Sequence, residues 1–186
     1  DSNNQSSPEL SPDDRRVAIQ RAVQNNPDVW LMDLLRGGVT RFTFDAGVEN
    51  NPVWSPDGTR IAFASNRKGL NNLYMKPSSG AGAEELLLEK AAYTQPQDWS
   101  REGRFLLYFE NDPKTARDLW AIEMTGNERK ARVIVNTPFE ERNGQFSPDG
   151  RWVAYETNES GAVQIVVQPF PEPSGKWQVS TSGGSE

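Results

Sequence analysis

The sequence predicts an all-β fold of four repeated, four-stranded antiparallel units, and three observations predict it. One turn motif recurs four times, each copy sits between strand-length apolar segments, and fifteen Gly and thirteen Pro punctuate the 186 residues. The motif reads Leu10-Ser11-Pro12-Asp13-Asp14, Trp54-Ser55-Pro56-Asp57-Gly58, Trp99-Ser100-Arg101-Glu102-Gly103 and Phe146-Ser147-Pro148-Asp149-Gly150. Its serines are spaced by 44, 45 and 47 residues. One turn held in place at this period is the mark of a β-propeller, with one blade per repeat.

Each unit reads as inner strand, turn, two middle strands and outer strand. Pro presets φ for the first central turn position, Asp suits the next, and Gly follows where φ is positive. Arg101-Glu102 and Asp14 depart from that pattern at positions a turn tolerates. The second strands include Val17-Ala18-Ile19 and Ile61-Ala62-Phe63. The third strands are Val29-Trp30-Leu31-Met32, Leu73-Tyr74-Met75, Leu119-Trp120-Ala121-Ile122 and Gln164-Ile165-Val166-Val167. Middle strands apolar on both faces fit sheets held between neighbouring blades. Outer strands follow at Glu85-Leu86-Leu87-Leu88, Arg132-Val133-Ile134-Val135 and Trp177-Gln178-Val179-Ser180, the last alternating as a half-exposed strand does.

This division gives a polar tail over 1–7, blades over about 8–46, 52–90, 96–135 and 143–180, and a link over 181–186. The final pattern stops where a fifth inner strand is due, so the four blades are expected to belong to a larger propeller. Open apolar faces on the first and last blades would then be covered by further sequence or by a second copy of the chain.

Composition narrows the function. Twenty-six acidic against twenty basic residues, without a basic block, speak against nucleic-acid binding. No apolar run approaches the roughly 20 residues of a membrane span, so no direct membrane contact is expected. The sequence has no Cys and no His, which removes thiol nucleophiles, imidazole ligands and a Ser-His-Asp triad. No cofactor or metal is expected. Asp13, Asp57 and Asp149 recur, but each serves its own turn. Trp30, Trp54, Trp99 and Trp120 fall at blade-packing positions. Glu84-Glu85 and Glu140-Glu141 are neighbours on one segment and cannot flank a glycosidic bond.

Binding is therefore the expected role, and loops are the expected place. Loops between the middle strands and links between blades share one end of each blade. They place Arg21, Glu49, Arg67, Lys68, Tyr93, Lys114, Arg117, Glu141 and Arg142 on a common rim for a protein or small ligand.

The Trp54 to Gly58 turn, the strand and loop Ile61-Ala62-Phe63-Ala64-Ser65-Asn66-Arg67, and Leu73-Tyr74 resemble the TolB-type, WD-repeat-like propeller repeats. The resemblance runs from about Pro8 to Ser180. Pro138-Phe139-Glu140-Glu141-Arg142, Gln168-Pro169-Phe170-Pro171 and Gly175-Lys176-Trp177-Gln178-Val179-Ser180 are similar to propellers that follow bacterial eukaryotic-like serine/threonine kinases. That resemblance implies a sensory or scaffolding domain outside the cytoplasm; kinase motifs are absent from this chain. The alternative is the gating propeller of a prolyl-oligopeptidase-like hydrolase. A metal-dependent lyase propeller is disfavoured by the lack of His.

Overall fold

The computed structural model describes residues 5–126, 128–181 and 183–184, and these form four four-stranded antiparallel sheets. Blade 1 comprises β1 (Gln5–Leu10), β2 (Arg16–Val23), β3 (Asn26–Asp33) and β4 (Val39–Arg41). Blade 2 comprises β5 (Glu49–Trp54), β6 (Arg60–Ser65), β7 (Asn72–Pro77) and β8 (Glu85–Leu88). Blade 3 has β9 (Thr94–Trp99), β10 (Phe105–Asp112), β11 (Ala116–Glu123) and β12 (Ala131–Val135). Blade 4 has β13 (Glu141–Phe146), β14 (Trp152–Thr157), β15 (Gln164–Pro169) and β16 (Trp177–Gln178). Every sheet runs in sequence order, as a blade must.

The turn motif is a local hydrogen-bonded unit. Ser11, Ser55 and Ser147 donate Oγ–H to Asp13, Asp57 and Asp149 at 2.7, 2.5 and 2.6 Å. The serine oxygens accept the backbone N–H of Arg16, Arg60 and Trp152, and Ser100 accepts that of Phe105. The serine hydroxyl is the main force holding each of the three aspartates below the usual carboxylate range. Gly58, Gly103 and Gly150 take φ of 68°, 79° and 68°, and Asp14 takes 57° in the same place. Aspartate is among the few side chains that enter this region at modest cost.

The chain divides within β9 into two compact units, Asp1–Pro96 and Gln97–Glu186. In the first, Ala18, Val29, Leu31 and Phe42 of blade 1 pack on Trp54, Ile61, Phe63 and Tyr74 of blade 2. We call these the trailing face of blade 1 and the leading face of blade 2. Phe63 meets Phe42 edge-on at 6.5 Å and stacks on Tyr74 at 6.1 Å. Lys76 of blade 2 donates to the Phe42 carbonyl at 2.9 Å, and Trp54 Nε1 to that of Glu9 at 3.1 Å. In the second unit Phe105 of blade 3 meets Phe170 of blade 4 edge-on at 4.9 Å. Gln168 Nε2 donates to the Ile134 carbonyl at 3.0 Å, and Asp98 accepts the Phe146 N–H at 2.7 Å.

First-strand starts differ from the sequence expectation. Strands begin at Gln5, Glu49, Thr94 and Glu141, so residues 5–7 belong to a strand where a polar tail is expected, and the later blades start two or three residues early. Residues 1–4 lie outside the described residues. In blades 1, 2 and 4 the cause is a β-bulge, between Ser6 and Glu9, Asn50 and Val53, and Arg142 and Gln145. Ser7, Asn51 and Asn143 sit in these bulges at φ of 52°, 48° and 52°. A polar residue followed by Pro or Gly reads as a link, yet here it kinks a strand without ending it. Of the expected link over 181–186, residues 181, 183 and 184 are described, and Gly184 N–H donates back to the Val163 carbonyl of blade 4.

Candidate functional site at the loop end of the blades

Antiparallel pairing puts the start of each first strand beside the loop between the second and third strands. Glu49 stands opposite Ser65, and Glu141 opposite Thr157. The expected rim residues therefore share one end of each blade. They divide sharply by burial.

Glu49 and Glu141 are 0% and 1% exposed, so neither belongs to a rim. Glu49 accepts a hydrogen bond from Ser65 Oγ at 2.7 Å, and Glu141 accepts one from Thr137 Oγ1. The second carboxylate oxygen of each is buried without a hydrogen-bond partner. Burial pushes both groups up to about 7, so each is partly protonated near neutral pH. Desolvation without full pairing leaves these carboxylates little gain from being charged.

Arg67 is the hub of the first unit's loop end. Its guanidinium lies 3.4 Å from Glu49, 3.6 Å from Asp45 and 2.5 Å from Glu84, and 4.4 Å from the Tyr74 ring centroid. The chain passes so close that a Cβ on Gly47 would stand 2.9 Å from the Arg67 backbone nitrogen. Arg67 is thus a clamp between blades 1 and 2, not a free rim cation. Arg41 pairs with buried Asp28 at 2.7 Å, half-buried Arg21 stacks over Trp30 at 5.1 Å, and Tyr93 is half-buried. Lys68 is exposed and pairs with Glu89 at 2.8 Å.

In the second unit, buried Asp118 accepts from Thr115 Oγ1 and Asn136 Nδ2 at 2.6 and 2.9 Å, and burial raises its pKa. Arg117 pairs with Glu140 at 3.0 Å over the Phe109 ring, and Arg142 with buried Glu156 at 2.8 Å. Lys114 is exposed.

The bulge of blade 2 brings Asn50 and Asn51, expected in a link between blades, beside Asn71 and Gln95. Asn50 Oδ1 accepts from Asn71 Nδ2 at 3.4 Å and Gln95 Nε2 at 3.3 Å, and Gln95 also donates to Asn51. In the second unit Asn143 Nδ2 donates to Glu156 at 3.0 Å. Asn50, Asn51, Gln95 and Asn143 are all half-buried, so each keeps a solvent-facing side. Bulges re-aim side chains, and left-handed non-glycine residues concentrate at functional sites. The available signal was an Asn or Ser before Pro or Gly at one phase of the repeat.

Comparison with known proteins agrees with this architecture. The chain is 34% identical over 94 residues to Tricorn protease homolog 1 of Streptomyces coelicolor, half of this chain but 9% of that protein. It is 25% identical over 165 residues to the Tol-Pal system protein TolB of Helicobacter pylori, 87% of this chain and 39% of that protein. The solved structure of putative TolB from Agrobacterium tumefaciens superposes with a TM-score of 0.82 at 19% identity, covering 98% of this chain and 64% of that one. The chain thus spans only part of each of these proteins. A family model described as the TolB beta propeller domain matches residues 2–168, and with four blades that each carry one copy of the turn, the chain belongs to that family.

Proposed function

We propose that this chain is a non-catalytic recognition module, and that it binds an extended polypeptide segment through the first-strand bulges at the loop end. The observation that carries this reading is the pair of half-buried bulge amides Asn50 and Asn51 beside Gln95 in the first unit, with Asn143 at the matching bulge of the second, each bulge held on a strand rather than on a loose loop. An amide side chain both donates and accepts, which matches the paired N–H and C=O of a peptide backbone. Exposed Lys68 in the first unit, and exposed Lys114 with half-buried Arg117 in the second, add charge selectivity at the loop end of each unit. The relationship to TolB favours a location outside the cytoplasm. A sensory or scaffolding role within a larger protein fits a module that spans only part of its relatives' length.

A second reading is favoured by the 34% identity to Tricorn protease homolog 1, in which the same blades would gate a peptidase domain. Both readings place peptide at the loop end. They differ in whether the bound segment is held or passed on to hydrolysis.

The test is hydrogen exchange of the chain with and without a peptide selected from an unbiased display library. Binding at the bulges protects the backbone amides of Asn50 and Asn51 and of residues 142–144. Protection confined to the Ser-Pro-Asp-Gly turns, at the opposite end of each blade, would retire the reading.

A further inference from the structure

Blades 1 and 2 form a cavity of about 560 Å³, a size typical of small-molecule sites, apart from the bulges of the loop end. Buried Leu31 and Phe42 make its apolar floor, and Arg16, Arg36, Arg41 and Phe44 stand around it. Phe44 is 66% exposed, with the Arg41 guanidinium 5.3 Å and the Lys76 ammonium 5.5 Å from its ring centroid. An apolar floor ringed by cations suits a ligand that is apolar at one end and anionic at the other.

The second unit shows what fills the same crevice there. Arg16 holds the place of Phe105, each five residues past its motif serine. Ser78 holds that of Phe170, because each donates its backbone N–H to the carbonyl four residues past its motif serine, Thr59 and Arg151. Phe105 and Phe170 are 3% and 7% exposed and meet edge-on at 4.9 Å, with the Arg132 guanidinium 5.4 Å from the Phe105 ring centroid. Aromatic rings under a guanidinium thus close the crevice between blades 3 and 4. In the first unit neither position carries a ring, and Arg16 instead bonds the Ser78 carbonyl at 2.9 Å.

Charge selects the rest of the ligand. Arg41 is matched by buried Asp28 at 2.7 Å, and Lys76 by Glu84 at 3.5 Å. Asp33 also lines the cavity and accepts the backbone N–H of exposed Arg36 at 2.9 Å. Set against Arg16 and Arg36, its single carboxylate leaves one positive charge over, in a chain of net charge -6. A monoanion balances that charge, and a carboxylate matches the guanidinium fork with two hydrogen bonds.

We propose that the cavity between blades 1 and 2 binds a small aromatic monocarboxylate. The ring lies on Leu31, Phe42 and Phe44, and the carboxylate is held by Arg36 and Arg16. Ring burial supplies the driving force, and the ion pair fixes the orientation.

The test titrates 2-naphthoate into the isotopically labelled chain and follows its backbone amides by NMR. Gly38, Ser79 and Gly80, all on the cavity wall, are expected to shift together and saturate. Arg36→Ala and Phe44→Ala each weaken binding about tenfold, and because both side chains are exposed the fold does not depend on them. Neutral 2-naphthylmethanol binds about tenfold more weakly than 2-naphthoate; equal affinity would overturn the role of the guanidiniums. The dianion 2-naphthyl phosphate binds no more tightly than 2-naphthoate; tighter binding would overturn the preference for a single charge. Ser78→Phe, which imitates Phe170, closes the cavity and abolishes the shifts, and binding retained by that chain when folded would overturn the proposal. Should it fail to fold, the two alanine variants decide. Affinity unchanged in both of them, or shifts confined to the exposed residues Trp177 and Val179 of blade 4, overturns the proposal.

Discussion

Lys76 crosses from blade 2 to donate to the backbone carbonyl of Phe42 in blade 1 at 2.9 Å, with only 6% of the lysine exposed. The same ammonium lies 3.5 Å from Glu84 and 5.2 Å from the Phe42 ring centroid. A buried charge is tolerated when it is paired and bonded, and its removal strands the groups it served. Lys76→Met keeps the length and loses the donor. It is expected to destabilise the chain by about 1–3 kcal/mol in chemical denaturation. Lys76→Gln, which imitates Gln168, recovers part of the loss.

Glu49 and Glu141 make stability depend on pH. Both are pushed up to about 7 from an ordinary value of 4.5. Between these values the folded chain holds more protons than the unfolded one, so stability falls as pH rises. The contribution is complete below about 4.5 and lost above about 7. Denaturation midpoints measured from pH 5 to pH 8 should therefore decline. Glu49→Gln removes about half of that decline and the double variant with Glu141→Gln nearly all of it.

Arg67 and Lys68 are neighbours with opposite expected behaviour. Arg67 ties Asp45, Glu49 and Glu84 together at 17% side-chain exposure, whereas the Lys68–Glu89 pair is about half exposed on both sides. Arg67→Ala should cost about 1–3 kcal/mol, because three carboxylates lose their shared cation. Lys68→Ala should change stability by less than about 0.5 kcal/mol. Thermal melts of the two variants side by side check this.

Gly144 lets the first strand of blade 4 lie directly on blade 3. A Cβ there would stand 2.6 Å from Leu107 Cδ2 and 3.2 Å from Leu119 Cδ1, and both leucines are fully buried. Neither can withdraw without displacing its own neighbours. Gly144→Ala is expected to destabilise by about 1–3 kcal/mol, read as a lowered denaturation midpoint.

The blade architecture was legible because it rests on a repeated turn whose chemistry is local. Ser55, Pro56, Asp57 and Gly58 specify their geometry without help from distant residues. The loop end was less legible because its logic is tertiary. Glu49 and Arg67 look like rim charges until the fold lays Ser65, Glu84 and Tyr74 around them. One signal was present: Glu49 and Glu141 each stand six residues before the motif serine, with Ser65 and Thr157 ten residues after it. A carboxylate and a hydroxyl recurring together mark a buried pair. The bulges were missed because Asn51-Pro52 carries two residues that ordinarily interrupt strands. Only pairing on both sides of the kink reveals that β5 continues through it.

Recognition through bulge amides is the central claim, and the most direct test is the affinity of a library-selected peptide for two glycine variants. Asn51→Gly and Asn143→Gly delete the amide while keeping φ values of 48° and 52° accessible, so the strands retain their shape. The account predicts that affinity falls about tenfold or more in Asn51→Gly, with the denaturation midpoint nearly unchanged. Affinity equal to that of the original chain in both variants would contradict it and move the binding surface away from the bulges.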